Sequence, residues 1–269
     1  MGVIRGLVRI TIVLVSAAWL SCAIADKPRI AIVIDDLGYL AINDRDVLSL
    51  DPSIAVAIIP DAPLAPYLSR QAARQQRDVL IHLPLSAVRH DDCQFEATCV
   101  EPEWSPLRMA AHLRWAAERV DQAIGINNHQ GSRFTADHEA VRRLVTSINL
   151  LERLHGIELF VLDSRTTAQS RLEQKARAAG LATARRNVFL DNDLSSEAIE
   201  AAWKNLIEQA RRRGFAIAIG HPHRETIEFL EQAVPELAAR GIELVSIRQL
   251  LDRPKSSGDD DLRPAAVLP

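Results

Sequence analysis

Short runs of apolar, mostly β-branched residues alternate with longer amphipathic segments along most of this 269-residue chain. The runs are RIAIVI from Arg29, SIAVAII from Ser53, DVLIHL from Asp78, AIGINN from Ala123, IELFVL from Ile157, RNVFL from Arg186, FAIAIG from Phe215 and IELVSI from Ile242. Most are apolar at consecutive positions, which is typical of parallel strands covered on both faces. This alternation predicts an α/β fold with a parallel sheet.

The segments between these runs have the apolar spacing of amphipathic helices. They begin at Pro63, Ser105, Thr135, Ser170, Ser195 and Glu225. Glycines stand where three of them end, at Gly180, Gly214 and Gly241, and Pro235 predicts a kink or break in the last. Together the runs and helices predict a distorted (β/α) barrel with seven or eight parallel strands, and an open doubly wound sheet is the alternative.

The first residues have the pattern of an export signal. Arg5 and Arg9 flank the start of an apolar run that is too short for a membrane span, and Ala23-Ile24-Ala25 has the small-x-small pattern of a cleavage site. We therefore expect cleavage after Ala25 and an exported protein, periplasmic or secreted, without a transmembrane segment afterwards. An uncleaved N-terminal anchor is the alternative. A lipoprotein through Cys22 is less favoured, because Trp19-Leu20 lacks the small residue usually required before the cysteine.

The predicted domain organisation has three parts: a signal peptide over residues 1–25, a barrel domain over 26–252 and a disordered tail over 253–269. The tail is rich in Pro, Ser and Asp and has little to bury. Removing the leader leaves Cys93 and Cys99, and an even number of cysteines in an oxidising compartment favours a disulfide. Such a bridge would pin the long, irregular segment 86–103, which we expect to lie over one face of the barrel.

Composition excludes some classes of function. The formal net charge is −3, and no basic stripe interleaves with aromatic residues, so nucleic acid is not an expected partner. The sequence contains no Gly-x-Ser-x-Gly elbow of serine esterases and no Gly-x-Gly-x-x-Gly or P-loop pattern for nucleotides.

Polar side chains cluster where the predicted strands end. In chain order they are Asp35-Asp36, His82, Asn127-Asn128-His129, Asp163-Ser164-Arg165, Asp191-Asn192 and His221-Pro222-His223. Each group taken singly has a structural interpretation, as a turn, a helix cap, a core histidine or an ion pair. The carboxyl ends of parallel strands share one face, however, and several carboxylates and imidazoles meeting there would repel or stay unpaired without a cation. Their convergence predicts a divalent metal.

Aspartate and histidine donors suit zinc best, with manganese, cobalt and nickel as alternatives. A catalytic zinc keeps about three protein ligands and one open position for water, whose pKa it lowers. A neighbouring carboxylate can take the proton of that water, and a histidine opposite can protonate the leaving nitrogen or oxygen. The strand ends therefore indicate a metal-dependent hydrolase.

Six motifs resemble the divergent polysaccharide deacetylases, a branch of the metal-dependent carbohydrate esterases that remove N- or O-acetyl groups from cell-wall glycans. They are IAIVIDDLG, IHLPL, INNHQGSRFT, FVLDSRT, VFLDN and IAIGHPHRET, which span about Lys27 to Leu251. The resemblance implies that Asp35 is the catalytic base, that Asp36 and His82 bind the metal, and that His221 is the acid, with His223 as an alternative.

The sequence departs from the family pattern at one metal ligand. The family's His-x-x-x-His motif would place a second histidine four residues after His82, where this chain has Ser86. His129 is the best replacement, with His221 or His223 in reserve. The family's arginine motif is also not matched closely, and Arg133 or Arg165 can stand in for it. The residues expected to orient substrate or support the ligands are Asn128, Arg133, Asp163, Arg165 and Asp191.

Two main functions remain open from the sequence. The first is a metal-dependent deacetylase acting on a glycan or amino sugar of the cell envelope, such as peptidoglycan. The second is a catalytically silent envelope protein of the same fold that binds glycan or a cell-wall enzyme, which the loss of the His-x-x-x-His spacing favours. Another metal hydrolase, for example a phosphoesterase, is a third possibility.

Overall fold

The structure, a computed structural model, describes residues 27–88 and 98–252. Its strands pair in parallel in one sheet. They are β1 (Arg29–Leu37), β2 (Ala55–Ile58), β3 (Val79–Leu85), β4 (Gly125–Gln130), β5 (Phe160–Asp163), β6 (Thr183–Arg185), β7 (Val188–Phe189), β8 (Phe215–Gly220) and β9 (Glu243–Leu244). The α/β class predicted from the sequence is confirmed.

The sheet is a distorted barrel. Its strand order is β6-β5-β4-β3-β2-β1-β8-β7, with β9 added beside β1. The two edge strands, β6 and β7, are consecutive in the chain and only Arg186 and Asn187 separate them. Since β6 pairs with β5 and β7 pairs with β8, this one segment bridges both edges of the sheet. The predicted barrel is confirmed, and the open doubly wound alternative is wrong.

Helices follow most of the strands, and all but the last of them pack on the outside of the sheet. They are α1 (Ala41–Ser49), α2 (Ala65–Arg74), α3 (Pro106–Arg119), α4 (Ser132–Ala136), α5 (His138–His155), α6 (Leu172–Ala178), α7 (Ser196–Arg213), α8 (Arg224–Ala233) and α9 (Ile247–Leu251). The helix predicted from Thr135 is divided, because the side chain of Asp137 accepts hydrogen bonds from the backbone N–H groups of Glu139 and Ala140 and starts a new helix there. Helix α8 ends before Pro235, as predicted.

Alternate residues of the central strands belong to two different apolar cores. On β1, Ile30, Ile32 and Ile34 pack in the large core beneath the helices, whereas Ala31 and Val33 belong to a second cluster that fills the barrel. Helix α9 contributes to this inner cluster at the amino end of the barrel. Because side chains alternate along a strand, the next inward position on β1 after Val33 is Asp35. The barrel interior thus changes from apolar to polar at its carboxyl end.

Two predicted strands were wrong in extent. The run from Ile242 forms strand only at Glu243–Leu244, because Ser246 and Gln249 make a reciprocal capping box that starts α9. The run from Arg186 begins earlier, at Thr183, and divides into β6 and β7.

The leader, its cleavage after Ala25, the tail over 253–269 and Cys93 lie outside the described residues. The Cys93–Cys99 disulfide therefore stays a prediction. Within residues 27–88 and 98–252, no helix combines the length and apolar character needed to cross a bilayer.

Candidate active site

The two adjacent aspartates at the end of β1 both reach one imidazole. Asp35 Oδ2 lies 3.6 Å and Asp36 Oδ1 lies 3.0 Å from His82 Nε2. In a regular strand, successive side chains point to opposite faces. Here the pairing register of β1 with β2 shifts between Ile34 and Leu37, and Asp36 has a φ of 62°. The irregular backbone points the Asp36 side chain into the open carboxyl end of the barrel, which we call the mouth. β-Bulges next to active sites redirect side chains in the same way.

Three donor atoms from three strands converge beside Asp35. Asp36 Oδ1 lies 2.8 Å from His129 Nδ1, and His129 Nδ1 lies 3.1 Å from His82 Nε2. His82 comes from β3 and His129 from the neighbouring β4, where both occupy inward positions at the barrel mouth. Asp36 and the two histidines therefore form a compact triangle of one oxygen and two nitrogens, which we call the metal triangle.

Asn127 fixes the orientation of His82. Its side-chain N–H donates to Asp35 Oδ1 at 2.8 Å, so its carbonyl oxygen faces His82 Nδ1, also at 2.8 Å. His82 Nδ1 must then carry the proton when the ring is neutral, which leaves the Nε2 lone pair directed at the metal triangle. One amide thus orients a candidate ligand and the candidate base together.

A second histidine–aspartate pair stands opposite. Asp191 Oδ1 lies 2.9 Å from His221 Nδ1, while Asp191 Oδ2 accepts hydrogen bonds from the His221 backbone N–H at 2.6 Å and from Thr226 Oγ1 at 2.8 Å. His221 Nε2 faces Asp36 Oδ2 at 3.9 Å, and the Phe189 ring stacks on its imidazole. Asp191 therefore holds the His221 ring with Nε2 directed into the mouth.

The charges in the mouth shift several pKa values. Burial raises the pKa of Asp35. Burial alone would also raise the pKa of Asp36, but hydrogen bonds from His129 and His82 hold it well below its usual range. Burial opposes protonation of His82, but the carboxylates of Asp35 and Asp36 raise its pKa to about 9. Without a metal, these charges therefore favour the protonated form of His82, which lies between the carboxylates of Asp35 and Asp36.

The triangle fits a divalent metal. Nitrogen and oxygen ligands lie about 2.0–2.2 Å from zinc, and such ligands stand roughly 3 Å apart, close to the spacings observed here. Asp, His and His is a donor set that suits zinc and neighbouring transition metals. Ser86, at the position of the missing family histidine, is buried and its Oγ has no hydrogen-bond partner among the described residues. His129 Nδ1 lies where a third donor atom is needed, beside Asp36 Oδ1 and His82 Nε2, and its role as a metal ligand stays a prediction.

The structure separates the two candidate acids. His221 is part-buried, held by Asp191, and faces Asp36. His223 is exposed and precedes α8 as its N-cap residue. Although Asp191, His221 and His223 offer donor atoms within 4.8 Å of one another, Asp191 is already occupied by hydrogen bonds. The geometry favours His221 over His223 as the proton donor.

The other predicted site residues mostly support loops. Asp163 accepts from the Arg165 N–H, from Ser170 Oγ and from the Glu173 N–H, and Asn128 joins the Gln130 carbonyl to the Ser164 N–H. Arg133 forms ion pairs with Glu101 and Glu103, and the Arg165 guanidinium donates to the Ala168 carbonyl. These contacts fix the β4 and β5 ends of the mouth, and direct substrate contact by these residues stays a prediction.

Two residues of the mouth were given no role from the sequence. Asn127 was named with Asn128 and His129 at the strand end, but only Asn128 was given a role, although the alternation of β4 places Asn127 on the same inward side as His129. Arg186 is the second: its side chain donates to the carbonyls of Ser164 and Arg165 at 2.6 and 2.7 Å and covers the Phe189 ring. Burial and nearby Arg165 lower the pKa of Arg186 to about 10, and the charge of Asp35 acts in the opposite direction. Arg186 is therefore close enough to Asp35 for the two charges to interact.

Comparison with known proteins agrees with this architecture. The model of the divergent polysaccharide deacetylase family matches residues 32–251. The uncharacterised protein YibQ of Escherichia coli (strain K12) is 35% identical over 227 residues, which cover 84% of this chain and 68% of that protein. An uncharacterised protein of Haemophilus influenzae is 36% identical over 252 residues, covering 92% of this chain and 85% of that protein.

A solved structure has the same fold. The crystal structure of an uncharacterised protein from Agrobacterium tumefaciens C58 matches with a TM-score of 0.76 at 22% identity, covering 84% of this chain and 90% of that chain. At the carboxyl ends of the strands, the barrel of this chain has aspartate and histidine side chains that could hold a metal ion. The chain belongs to the divergent polysaccharide deacetylase family.

Proposed function

We propose that this protein is a metal-dependent hydrolase that removes N- or O-acetyl groups from a polysaccharide or amino sugar of the cell envelope. The observation that carries the proposal is the metal triangle, in which Asp36, His82 and His129 place three donor atoms within 2.8–3.1 Å of one another. The family's description as divergent polysaccharide deacetylases supports the substrate class. Zinc is the metal that the donor set favours.

The side chains around the triangle have complementary roles. A bound metal supplies Lewis acidity to the acyl carbonyl and to the attacking water. Asp35 lies beside the triangle with its pKa raised by burial, so it can accept the proton of that water. Asn127 holds the Asp35 carboxylate in place through Oδ1. Each role belongs to a residue at an inward or re-aimed position of the barrel mouth.

His221 is the proposed acid. Burial lowers and the Asp191 hydrogen bond raises its pKa, with a net increase, so more of the imidazole is protonated near neutral pH than in a free histidine. Its Nε2 lies 3.9 Å from Asp36 Oδ2, beside the metal triangle, which suits protonation of the departing amine or alcohol. Asp191 keeps this nitrogen directed at the mouth. Arg133, Arg165 and Asp163 remain candidates for supporting the substrate.

The pattern of the first residues supports an exported protein, periplasmic or secreted. There, peptidoglycan is the acetylated glycan that we propose as substrate, and a cell-wall enzyme is a proposed partner if the protein is catalytically silent. The buried hydroxyl of Ser86, where the family motif has a histidine, is the observation that favours the silent alternative.

Acetate release distinguishes the two functions. Protein loaded with zinc, manganese or cobalt is incubated with N-acetylglucosamine oligomers and with acetylated muropeptides, and Asp35→Asn is the matched control. We expect the native protein to release acetate, and the variant to keep its metal while losing turnover by about 10²–10⁴-fold. No acetate with any metal, from a native protein that still binds metal and glycan, would favour the silent protein.

A further inference from the structure

The carboxylate of the metal triangle and the proposed acid lie on neighbouring strand ends. Strands β1 and β8 pair in parallel, and their paired register ends at Ile34 and Gly220. Asp36 and His221 both lie beyond this last pair, where His221 Nε2 stands 3.9 Å from Asp36 Oδ2. Because the sheet ladder stops before these residues, contacts beyond the sheet are needed to fix their separation.

The loop between β1 and α1 is held tightly. The Gly38 N–H donates to Oδ1 of buried Asp44 at 3.2 Å, and the Gly38 carbonyl accepts from the Leu64 N–H. Gly38 has a φ of 126°, and a Cβ at this position would lie only 2.4 Å from the Cβ of Ala62. Glycine therefore allows the loop to pack directly against the chain that follows β2. These contacts join Asp36 firmly to the first turn of α1.

Asn43, in that first turn, contacts the segment that carries the proposed acid. Its side-chain Nδ2 donates to the Pro222 carbonyl at 2.7 Å. Pro222 lies within a tight turn, in which the His223 N–H donates to the His221 carbonyl at 2.8 Å. In the part of the chain that the structure describes, no backbone N–H donates to the Pro222 carbonyl. The Asn43 amide is therefore the donor that satisfies this carbonyl.

Two polar side chains thus hold the His221 segment from different sides. Asp191 bonds the imidazole and the His221 backbone N–H, and so sets the direction of the ring. Asn43 bonds the next peptide, and it comes from the loop that carries Asp36. The hydrogen bond from Asn43 to Pro222 therefore links the loop of the acid to the loop of the metal triangle. A displacement of about 1 Å in a reacting group can lower a rate by about 100-fold, so this link affects the chemical step.

We propose that Asn43 is a positioning residue, which holds His221 at the distance from the metal triangle that protonation of the leaving group requires. The inference rests on the proposed function for the role of His221 as the acid. Asn43 acts through the Pro222 turn and takes no part in the chemical step itself.

The test compares two leaving groups in zinc-loaded protein. The amine released from an N-acetylglucosamine oligomer must take a proton as its C–N bond breaks, whereas 4-nitrophenolate leaves 4-nitrophenyl acetate without one. Asn43→Asp and Asn43→Leu both remove the N–H donor at nearly constant size. Each should lower kcat for acetate release from the oligomer by about 10–100-fold, with native KM and zinc content, and should hydrolyse the ester at the native rate.

Asn149→Asp is the matched control. Asn149 also donates to a backbone carbonyl, that of Ala179 at 3.5 Å, but between α5 and the end of α6. This variant should have native kcat on both substrates. It shows whether the loss of an asparagine–carbonyl hydrogen bond affects turnover wherever it occurs.

Equal losses on the oligomer and the ester, or native kcat on the oligomer in either variant, would overturn the assignment. A crystal structure of Asn43→Leu separates this inference from the proposed function. The distance from His221 Nε2 to Asp36 Oδ2, 3.9 Å in the native chain, should increase by about 1 Å or more. An unchanged distance would overturn the assignment whether or not acetate is released. If the native protein releases no acetate while the distance increases in the variant, the proposed function fails and the positioning of His221 by Asn43 stands.

Discussion

Two clusters of histidine and aspartate share the mouth of the barrel, and their geometry differs. In the metal triangle, three donor atoms lie within 2.8–3.1 Å of one another. In the cluster of Asp191, His221 and His223, Asp191 Oδ1 lies 2.9 Å from His221 Nδ1, but the ring centroids of the two histidines are 6.0 Å apart, compared with 4.9 Å for His82 and His129. Asp191 also accepts hydrogen bonds from Thr226 and from the His221 backbone. Similar residue types therefore form two clusters with different geometry. The metal triangle is suited to binding a cation, and the cluster around Asp191 is suited to orienting His221 as a proton donor.

The difference lies in what occupies each carboxylate. Hydrogen bonds from a hydroxyl and a backbone N–H leave Asp191 fixed against β8 and α8, with a fully buried side chain. The Asp36 side chain is partly exposed, and its partners among the described residues are imidazoles, which can exchange a proton for a metal. Both carboxylates lie close to a histidine. Their other hydrogen-bond partners distinguish Asp36, which is available as a metal ligand, from Asp191, which orients an imidazole.

The largest expected effect is on metal content. Asp36→Ala should reduce bound zinc from about one per chain to near zero and reduce acetate release to background, because it removes the carboxylate of the triangle. His223→Ala, in the second cluster, should retain the zinc. Elemental analysis after gel filtration measures both. Equal zinc in the two variants would mean that the comparison between the clusters is wrong.

The next effect concerns the orienting pair. Asp191→Asn should leave zinc content unchanged and lower kcat by about 10²–10³-fold, because the amide no longer stabilises the protonated imidazole of His221. The pH–rate profile should also lose its alkaline limb at the native position. His223→Gln is the matched control, with native kcat expected. A loss of zinc in Asp191→Asn would instead assign Asp191 to the metal.

A smaller effect is expected from the amide that supports His82. Asn127→Leu should weaken zinc binding by about 10–100-fold, since groups that orient metal-bound histidines contribute this much. Asn128→Leu is the neighbouring control on the opposite side of β4. It should lower thermal stability through loss of the Ser164 and Gln130 contacts, with zinc affinity nearly unchanged. Zinc titration with a competing chelator measures both affinities, and a greater loss in Asn128→Leu would contradict the inward placement of Asn127.

The last expected effect, similar in size to the previous one, is a pH dependence of the metal-free protein. The pKa of His82 is raised from 6.5 to about 9 in the folded chain. The protonated imidazole thus contributes stability that is fully present below about pH 6.5 and is lost as the pH rises through 9, by roughly 2–3 kcal/mol. Urea unfolding at pH 6.5 and 9.5 measures the loss. Zinc-loaded protein should not show it, because a metal-bound His82 is neutral, and an equal loss in both forms would point to other groups.

The strand ends were predictable from the sequence because the carboxyl ends of parallel strands share a face. The chain order of apolar runs and polar ends is enough to bring Asp35, Asp36, His82, His129 and His221 to one mouth. The proximity of His129 to His82 also followed, since β3 and β4 are neighbours. The positive φ of Asp36, which allows two successive carboxylates to face one imidazole, has no marker in the residue types themselves.

Other parts of the site depend on contacts that sequence patterns do not contain. Arg186 lies between β6, which pairs with β5, and β7, which pairs with β8. This division of one predicted strand into two places Arg186 at the mouth. Asp163 resembles a site carboxylate in the sequence. In the structure its carboxylate accepts hydrogen bonds from Ser170 Oγ and the Glu173 N–H, which follow β5 in the chain. Asn127 differs from these two, because strict alternation along β4 already separates it from Asn128 and places it on the inward side.

We propose that a single metal binds between Asp36, His82 and His129. Anomalous diffraction at the zinc edge, from crystals of the protein grown with zinc, locates the ion. We expect one strong peak about 2.0–2.2 Å from Asp36 Oδ1, His82 Nε2 and His129 Nδ1. A peak instead between Asp191, His221 and His223, or none at full zinc loading in solution, would contradict it.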